Sequence, residues 1–488
     1  MTKGESNSII KLLTRGSRNI KETKMVALVK KKNIDATEGP IFSKMVVFVI
    51  PLMLTNLMQQ LYSMADSMVV GKFSGDTEAL AAIGSTSTFI ALVTALFTGF
   101  AAGASVVASR AFGARNNDQL SKATHTAVCF GFIVGVFLSV CALLASEPLL
   151  NILGTKEILM PKALTYVRIV FIGTPAIATY NFGAAILRSV GDSRTPFYTL
   201  TASGILNVIL NFVFVLGFEM SVEGVAIGTV ASQYLSAIVV IVVLIKRKDE
   251  AYSLNPKKLK IDKQTLRIIL KMGIPAAIQG SLFGITNLFL IRALNDFPVP
   301  VLSARTIATS IDVLLSTAMN TYLHVAMTFT GQNLGAGKPD RIKKSLFIAL
   351  AQIVTIGVVV GQIMLVFYEP LVSLYLAPDD PNRAEILTAA KTIMTIMLSS
   401  YFIGAINEVL SGFLRGLGYS LQPMLVSIGG ICIFRLLWIL LVFPLINEVW
   451  ALYLVYPISW TLTSLGLLAV ILFVWKRVKA KLSEAKDF

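Results

Sequence analysis

Residues 50–75 read IPLMLTNLMQQLYSMADSMVVGKFSG, an apolar stretch that carries a single row of polar side chains. Asn56, Gln59, Tyr62, Ser63 and Asp66 recur at spacings of three and four residues, so they share one face of an α-helix. Most of the other positions are Leu, Met and Val, which suit lipid or the faces of neighbouring helices. The stretch therefore predicts a membrane-spanning helix with a polar seam.

Asp66 is the residue of this seam that costs most to bury. A carboxylate at the centre of a bilayer costs about 2.5–3.5 kcal/mol on insertion scales, and such residues usually mark an ion or substrate pathway. Alternatively, Asp66 lies about 33 Å along a helix from Lys44, and the hydrocarbon core is about 30 Å thick, so it also fits the outer headgroup region. The deeper Asn56 and Gln59 on the same face favour the pathway. We therefore interpret Asp66 as an ion- or proton-binding group.

The composition is that of a polytopic membrane protein. The chain has 488 residues, 55% of them apolar and only 14% charged, whereas soluble domains are about 25% charged. Lys and Arg concentrate in alternate loops, so the net charge of +16 reflects membrane topology and predicts no nucleic-acid partner. The three Cys and two His residues lack ligand spacing, so no metal centre, cofactor or enzymatic activity is expected.

Apolar runs of about 20 residues predict twelve transmembrane helices. We expect a basic N-terminal tail at 1–40, helices 1–6 at 41–246, a linker at 247–263, helices 7–12 at 264–475 and a tail at 476–488. The distribution of basic residues predicts that both termini are cytoplasmic.

The two halves of the chain repeat each other. ILRSVGDSRTP at 186–196 matches FLRGLGYSLQP at 413–423, and ASRAFGARNND at 108–118 matches TGQNLGAGKPD at 330–340. Because each half has an even number of spans, the repeats must be parallel and related by an axis along the membrane normal. The predicted fold class is an all-α polytopic membrane protein, with twelve helices in two parallel six-helix repeats forming two lobes.

Other polar groups fall inside predicted helices. Asn207 and Asn211 share one helix face, where they either line a cavity or hold helices together. Asp312 is either a second pathway carboxylate or the partner of Arg305 in a structural ion pair. Together with the seam of helix 1, the predicted substrate cavity comprises Asn56, Gln59, Tyr62, Ser63, Asn181, Asp312 and Asn320.

Glu408 and Arg435 lie in two helices joined by a short loop, which should be antiparallel neighbours. Burial of either charge alone is very unfavourable, so we predict a structural ion pair between them.

The sequence contains no G-x-x-x-x-G-K-[ST] motif, so the expected source of energy is an ion gradient or a partner that this chain does not encode. A proton or Na⁺ and a cationic substrate can compete for one buried carboxylate, which is the logic of antiport. Na⁺ at Asp66 is the only metal ion expected.

Three segments together resemble the multidrug and toxic compound extrusion (MATE) family: residues 38–84, the loop GQNLGAGKPDRIKK and the twin LRxxG…P segments. The resemblance implies a bacterial plasma-membrane exporter of organic, often cationic, compounds in exchange for H⁺ or Na⁺. It implies that Asp66 in ADSMVVG is the coupling residue, with Asn207 beside the cation site. Asn211 stands where DinF-type members often carry a second aspartate, and Phe283 stands near the helix 7 glutamate of NorM-type members. The choice between H⁺ and Na⁺ therefore stays open.

Three functional hypotheses follow. The first is an ion-coupled exporter, expected to be monomeric, whose partners are small organic cations or metabolites, the coupling ion and membrane lipid. The second is a lipid-linked oligosaccharide flippase of the same superfamily, and the third is a membrane sensor or scaffold. Amides and acids outnumber cationic residues among the predicted cavity positions, which favours the exporter over a flippase.

Overall fold

The computed structural model describes residues 33–73, 76–152, 154–377 and 379–484, and that part of the chain is helical without any β-strand. Eleven helices are long and apolar enough to cross a membrane, and a bent pair supplies a twelfth span. The spans are α1 Ile41–Phe73, α2 Thr77–Gly113, α3 Asn117–Ile152, α4 Glu157–Ile172 with Thr174–Ser189, α5 Arg194–Gly217, α6 Val222–Lys246, α7 Lys263–Leu294, α8 Val299–Gly335, α9 Pro339–Val366, α10 Arg383–Gly416, α11 Leu421–Ile446 and α12 Val449–Glu484. The predicted all-α polytopic membrane fold is confirmed.

Three spans depart from a straight α-helix, and one of them, α5, ends in the π-helical turn Val213–Gly217. The two arms of α4 meet at an angle of 45° around Gly173, next to Pro175 at the start of the second arm. Proline lacks a backbone N–H and clashes with the preceding turn, which explains the break. The span α11 contains two π-helical turns, Ile428–Ile433 and Trp438–Val442, on either side of the α-helical turn Phe434–Leu437.

The first six and last six spans pack against each other mainly where α2 contacts α7 and α8. Near the end of α2 a Cβ on Gly113 would lie 1.9 Å from the backbone oxygen of Gln332, so only glycine permits this approach. The Arg110 side chain also donates two hydrogen bonds of 3.2 Å to the carbonyl of Gly416. The two halves are thus in direct backbone contact at this end, which we call the basic face because it also carries Arg115, Arg194, Arg247, Lys338 and Arg341.

Residues 33–40, here called the N-terminal strap, bind to this basic face. The amide of Ile34 donates to the carbonyl of Gly191 in the first half at 3.2 Å. The amide of Ala36 donates to Oε1 of Gln332 in the second half at 2.8 Å, and Arg341 donates to the Ala36 carbonyl at 2.9 Å. Residues 33–40 of the predicted N-terminal tail are therefore attached to both halves of the chain. Residues 1–32 of that predicted tail lie outside the described part of the chain.

The predicted linker and the start of the predicted C-terminal tail are also described by the structure. Arg247 and Tyr252 in the predicted linker 247–263 are buried, and Arg247 forms an ion pair with Asp192. The last helix continues to Glu484, nine residues past its predicted end at 475. Such tertiary contacts cannot be predicted from composition, because a charged residue in a loop looks the same in the sequence whether it forms an ion pair or is solvated. The division into two lobes remains a prediction.

Candidate functional site

A cavity of about 860 Å³ lies between the two halves of the chain. The first half lines it with α1, α2, α4, α5 and α6, and the second half with α7, α8 and α10. Among its lining residues are Asn56, Gln59, Tyr62, Ser63, Asp66, Asn181, Asn207 and Asn320. The polar seam of α1 thus faces an internal space, and Asp66 does not lie at a solvated helix end.

Asp66 is held by a polar network that joins three helices. The side-chain amide of Asn211 on α5 donates to Oδ1 of Asp66 at 2.5 Å. The hydroxyl of Thr229 on α6 donates to Oδ2 at 3.2 Å, and the amide of Asn207 donates to that hydroxyl at 3.3 Å. Hydrogen bonds to a charged group are roughly twice as strong as neutral ones, so this network stabilises an ionised carboxylate in a largely apolar helix bundle.

The side-chain amides of Asn207 and Asn211 bring two further oxygen atoms into the polar network around Asp66. Asn207 and Asn211 are both buried, and the side-chain oxygen of each makes no hydrogen bond to the described residues. Carboxylate, amide and hydroxyl oxygens are the ligands that hard cations bind. No group of three or more His, Cys, Asp or Glu residues in the described chain is placed to hold a metal ion. The chemistry available here is therefore protonation of one carboxylate or its pairing with one small cation.

The remaining seam residues connect the cavity wall to its neighbours. The hydroxyl of Tyr62 donates to the carbonyl of Leu200 on α5 at 2.6 Å. The amide of Asn56 donates to the hydroxyl of Thr321 on α8 at 3.1 Å, which links the two halves across the cavity. Gln59 and Ser63 are exposed on the same face. Tyr62 thus forms its hydrogen bond within the first half of the chain, whereas Asn56 forms one between the two halves.

Thr229 was missed by the sequence interpretation. It lies in the apolar helix α6, and Ser232, Gln233 and Ser236 follow it at helical spacings. All four line the cavity. A search for polar residues spaced by three, four and seven positions would have found this second seam.

A second cavity of about 450 Å³ lies within the last six spans, between α7, α8, α10, α11 and α12. Asp312 lines this second cavity and does not line the central one, so the structure does not bring it together with Asn56 and Asn181 in one cavity. Phe283 and Asn320 line both cavities. Asp312 and Asn320 differ in this respect because they lie at different positions along α8. Asn320 is two turns beyond Asp312, where α8 meets the first half of the chain.

The predicted ion pair between Glu408 and Arg435 does not form. Arg435 donates to the hydroxyl of Ser459 at 3.0 Å and stacks on the ring of Tyr456, with 4.1 Å between guanidinium carbon and ring centroid. The charge that Glu408 faces is Arg415, two turns further along α10. The alternative pair between Asp312 and Arg305 is also not formed, and Asp312 lines the second cavity together with Tyr401. The short loop between α10 and α11 predicts that these helices are neighbours, but it does not determine which of their faces are in contact, because helix packing decides that.

The family model MatE matches residues 51–213 and 275–440, and so covers more than half of the chain with one copy in each half. The chain belongs to the MatE family. Within this family of multidrug efflux transporters, the two matched copies agree with the internal repeat seen in the sequence. The multi-span fold and the transporter family together make this a bacterial-type membrane transporter.

Relatives of this MatE protein cover most of its length. It is 28% identical over 469 residues to the probable multidrug resistance protein YoeA of Bacillus subtilis, covering 93% of this chain and 98% of the relative. It is 27% identical over 333 residues to the FAD transporter of Shewanella oneidensis, covering 67% and 72%. A solved structure of MATE in complex with MaD3S shares the fold with a TM-score of 0.82 at 20% identity, covering 93% of this chain and 99% of that one.

Proposed function

We propose that this protein exports organic compounds, many of them cationic, in exchange for H⁺ or Na⁺ that binds at Asp66. The observation that carries the proposal is the position of Asp66: its carboxylate lies on the wall of the cavity between the halves and is held by Asn211 and Thr229. A coupling ion at this carboxylate would neutralise the charge that the network now stabilises. Binding of a cationic substrate and binding of the ion would then compete for one site.

Alternating exposure of the cavity requires the two halves to separate at one end at a time. In this structure the halves touch at the basic face, through the Arg110 bond to Gly416 and through Gln332, which also donates to the carbonyl of Ser189 at 2.7 Å. We assign the basic face to the cytoplasm of a bacterial plasma membrane, because the positive-inside rule places Lys and Arg there. Opening toward the cytoplasm then requires these bonds to break.

The charges of the central cavity favour an exporter over a lipid-linked oligosaccharide flippase. Arg188 and Arg415 line the cavity, and Asp66 and Glu408 balance them. A site for a pyrophosphate group needs an excess of positive charge. The side chain of Arg168 is 53% exposed, beside Glu147, outside the central cavity.

The proposal is tested in proteoliposomes that contain the purified protein and ethidium as the transported cation. A proton gradient and a sodium gradient are imposed separately, and dye movement is followed by fluorescence. Wild-type protein should move the dye under one of the two gradients, and the responding gradient identifies the coupling ion. Asp66→Asn should lose at least nine-tenths of that movement, while the exposed Asp249→Asn should retain it. Gradient-driven movement that survives in Asp66→Asn would remove the coupling role from this residue.

A further inference from the structure

Arg435 is a buried cation that lacks a counter-charge. It is 5% exposed, and its only hydrogen bond within the described chain runs from Nε to the hydroxyl of Ser459. No described carboxylate lies within ion-pair distance, and the residue lines the 450 Å³ cavity of the last six spans. A charge buried without a partner is costly, so the two terminal nitrogens facing this cavity need an explanation.

The aromatic surroundings of Arg435 orient those nitrogens. The guanidinium carbon lies 4.1 Å from the ring centroid of Tyr456 and 5.9 Å from that of Trp460. Cation–π contacts occupy the faces of the guanidinium plane. The N–H groups lie in that plane, where they form a planar fork that matches a carboxylate with two parallel hydrogen bonds. Stacking therefore leaves the anion-binding edge of Arg435 free.

The backbone that carries Arg435 is irregular on both sides. The α-helical turn Phe434–Leu437 lies between the π-helical turns Ile428–Ile433 and Trp438–Val442. Such turns are rare and often occur at functional sites, because they redirect a side chain without ending the helix. This observation is independent of the charge of Arg435, and it points to the same position in the fold.

A negative pole lies in the same cavity. Oδ1 of Asp312 is enclosed and makes no hydrogen bond to the described residues. Tyr401 is its neighbour, and Tyr456 lies within electrostatic range of Asp312, Arg305 and Arg435. Arginine, carboxylate and aromatic side chains thus line the same cavity. The lining carries two arginines, Arg305 and Arg435, and two acids, Asp312 and Glu408, so the preference for an anionic group comes from the missing partner of Arg435.

We propose that this cavity is a second ligand site, which takes a flat aromatic compound bearing a carboxylate. The carboxylate would pair with Arg435 while the aromatic rings lie against Tyr456 and Trp460, and a basic nitrogen on the same ligand would face Asp312. Because Phe283 and Asn320 line both cavities, the site adjoins the central one. Ligand binding at this cavity does not depend on the proposed function. The further statement that the ligand is an exported compound does rest on it.

The test compares two dyes that differ in one group. Tetramethylrhodamine carries a free carboxylate and its methyl ester does not, and their binding to the full-length protein in lipid nanodiscs is measured by fluorescence anisotropy. Arg435→Gln should weaken binding of the free acid roughly tenfold, as expected for loss of a charge-assisted hydrogen bond, and should change binding of the ester less than about twofold. Arg435→Lys should recover part of the affinity for the acid. Arg168→Gln removes an arginine outside both cavities and should change neither dye.

Equal losses for acid and ester in Arg435→Gln, or no loss for either, would overturn the proposal. A measurement on wild-type protein covers the case in which Arg435 variants fail to fold. A benzophenone carboxylate is photo-cross-linked and the labelled peptides are mapped by mass spectrometry. Labels near Tyr456 and Trp460 support the site, and labels confined to residues of the central cavity refute it. Asp66→Asn should leave labelling at Tyr456 intact, so failure of the coupling hypothesis is distinguishable from failure of this one.

Discussion

The amide nitrogen of Asn211 lies 2.5 Å from a carboxylate oxygen of Asp66, and this bond joins two residues that are 145 positions apart in the chain. Asn211 is fully buried, so its hydrogen bond does not compete with bulk water. The bond fixes the rotamer of the one carboxylate on the seam of α1. Since hydrogen bonds to charged groups contribute about 1.5–3 kcal/mol, we expect Asn211 and Thr229 to influence how readily Asp66 exchanges its charge.

Removal of the donors to Asp66 should impair coupling in graded fashion. Thr229→Val deletes the hydroxyl while keeping the shape of the side chain, and we expect gradient-driven dye movement in proteoliposomes to fall about tenfold, equivalent to about 1.4 kcal/mol. Thr229→Ser keeps the hydroxyl and should retain most of the activity. Asn211→Ala should cost at least as much as Thr229→Val. If Val and Ser at position 229 behave alike, the hydroxyl has no role in coupling.

Gly204 is required for the contact between α1 and α5. A Cβ at this position would lie 1.7 Å from Cζ of Tyr62, whose hydroxyl bonds to the carbonyl of Leu200. Gly204→Ala should therefore destabilise the protein by about 1–3 kcal/mol through overpacking, seen as a lower melting temperature in nanodiscs.

Gly84→Ala is the matched control for this contact, because a Cβ on Gly84 has no heavy atom within 4 Å. That variant should keep or raise the melting temperature, since alanine favours helix over glycine by about 1 kcal/mol. Tyr62→Ala combined with Gly204→Ala should lose less stability than the sum of the two single variants. Strict additivity would show that the two residues do not clash.

Asp35 should make attachment of the N-terminal strap depend on acid pH. Burial raises the pKa of its carboxyl, but hydrogen bonds from Thr37 and the charge of Arg115 outweigh burial and hold the pKa below its ordinary value. A depressed folded-state pKa means that the stabilisation is complete above the unfolded value of about 3.9 and is lost as pH falls through the folded value.

Hydrogen exchange of residues 33–40 provides the measurement. Protection of these amides should be constant from about pH 5 to pH 8, after correction for the intrinsic exchange rate, and should decrease below about pH 4. Asp35→Asn should show reduced protection at neutral pH, and the difference from wild type should vanish in acid. A difference that persists unchanged at low pH would mean that the charge of Asp35 does not hold the strap.

The ion pair between Asp192 and Arg247 should be important for stability at the basic face. The two side chains are 9% and 6% exposed, and Arg247 also donates to the hydroxyls of Tyr252 and Thr195. Asp192→Asn keeps the shape and the capping oxygen of the side chain but leaves a buried guanidinium unpaired, which should cost about 3–5 kcal/mol.

The exposed pair between Asp118 and Lys122 supplies the control for that substitution. Its side chains are 75% and 46% exposed, so Asp118→Asn should change the free energy of unfolding by about 0–1 kcal/mol. Denaturant unfolding of both variants, followed by intrinsic fluorescence, gives the comparison. Similar small losses for Asp192→Asn and Asp118→Asn would show that Arg247 is satisfied by its neutral partners alone.

The helices and the polar faces of α1 and α5 followed from local patterns. The spacing of Asn56, Gln59, Tyr62, Ser63 and Asp66 depends only on the 3.6-residue period, so the sequence alone assigned them to one face, and the structure has them on the wall of one cavity. The internal repeat likewise appeared in short matching segments, and the two copies of the MatE model cover the same halves.

The partners of these faces depended on tertiary structure. Nothing in the sequence indicated that Thr229 meets Asp66, that Asp312 lies in a separate cavity, or that Arg435 stacks on Tyr456 while Glu408 faces Arg415. Periodicity determines which side chains share a helix face, but the rotation and crossing of helices decide which faces meet. Those are set by the packing of the whole bundle, where close approaches such as that of Gly113 to Gln332 have no local signature.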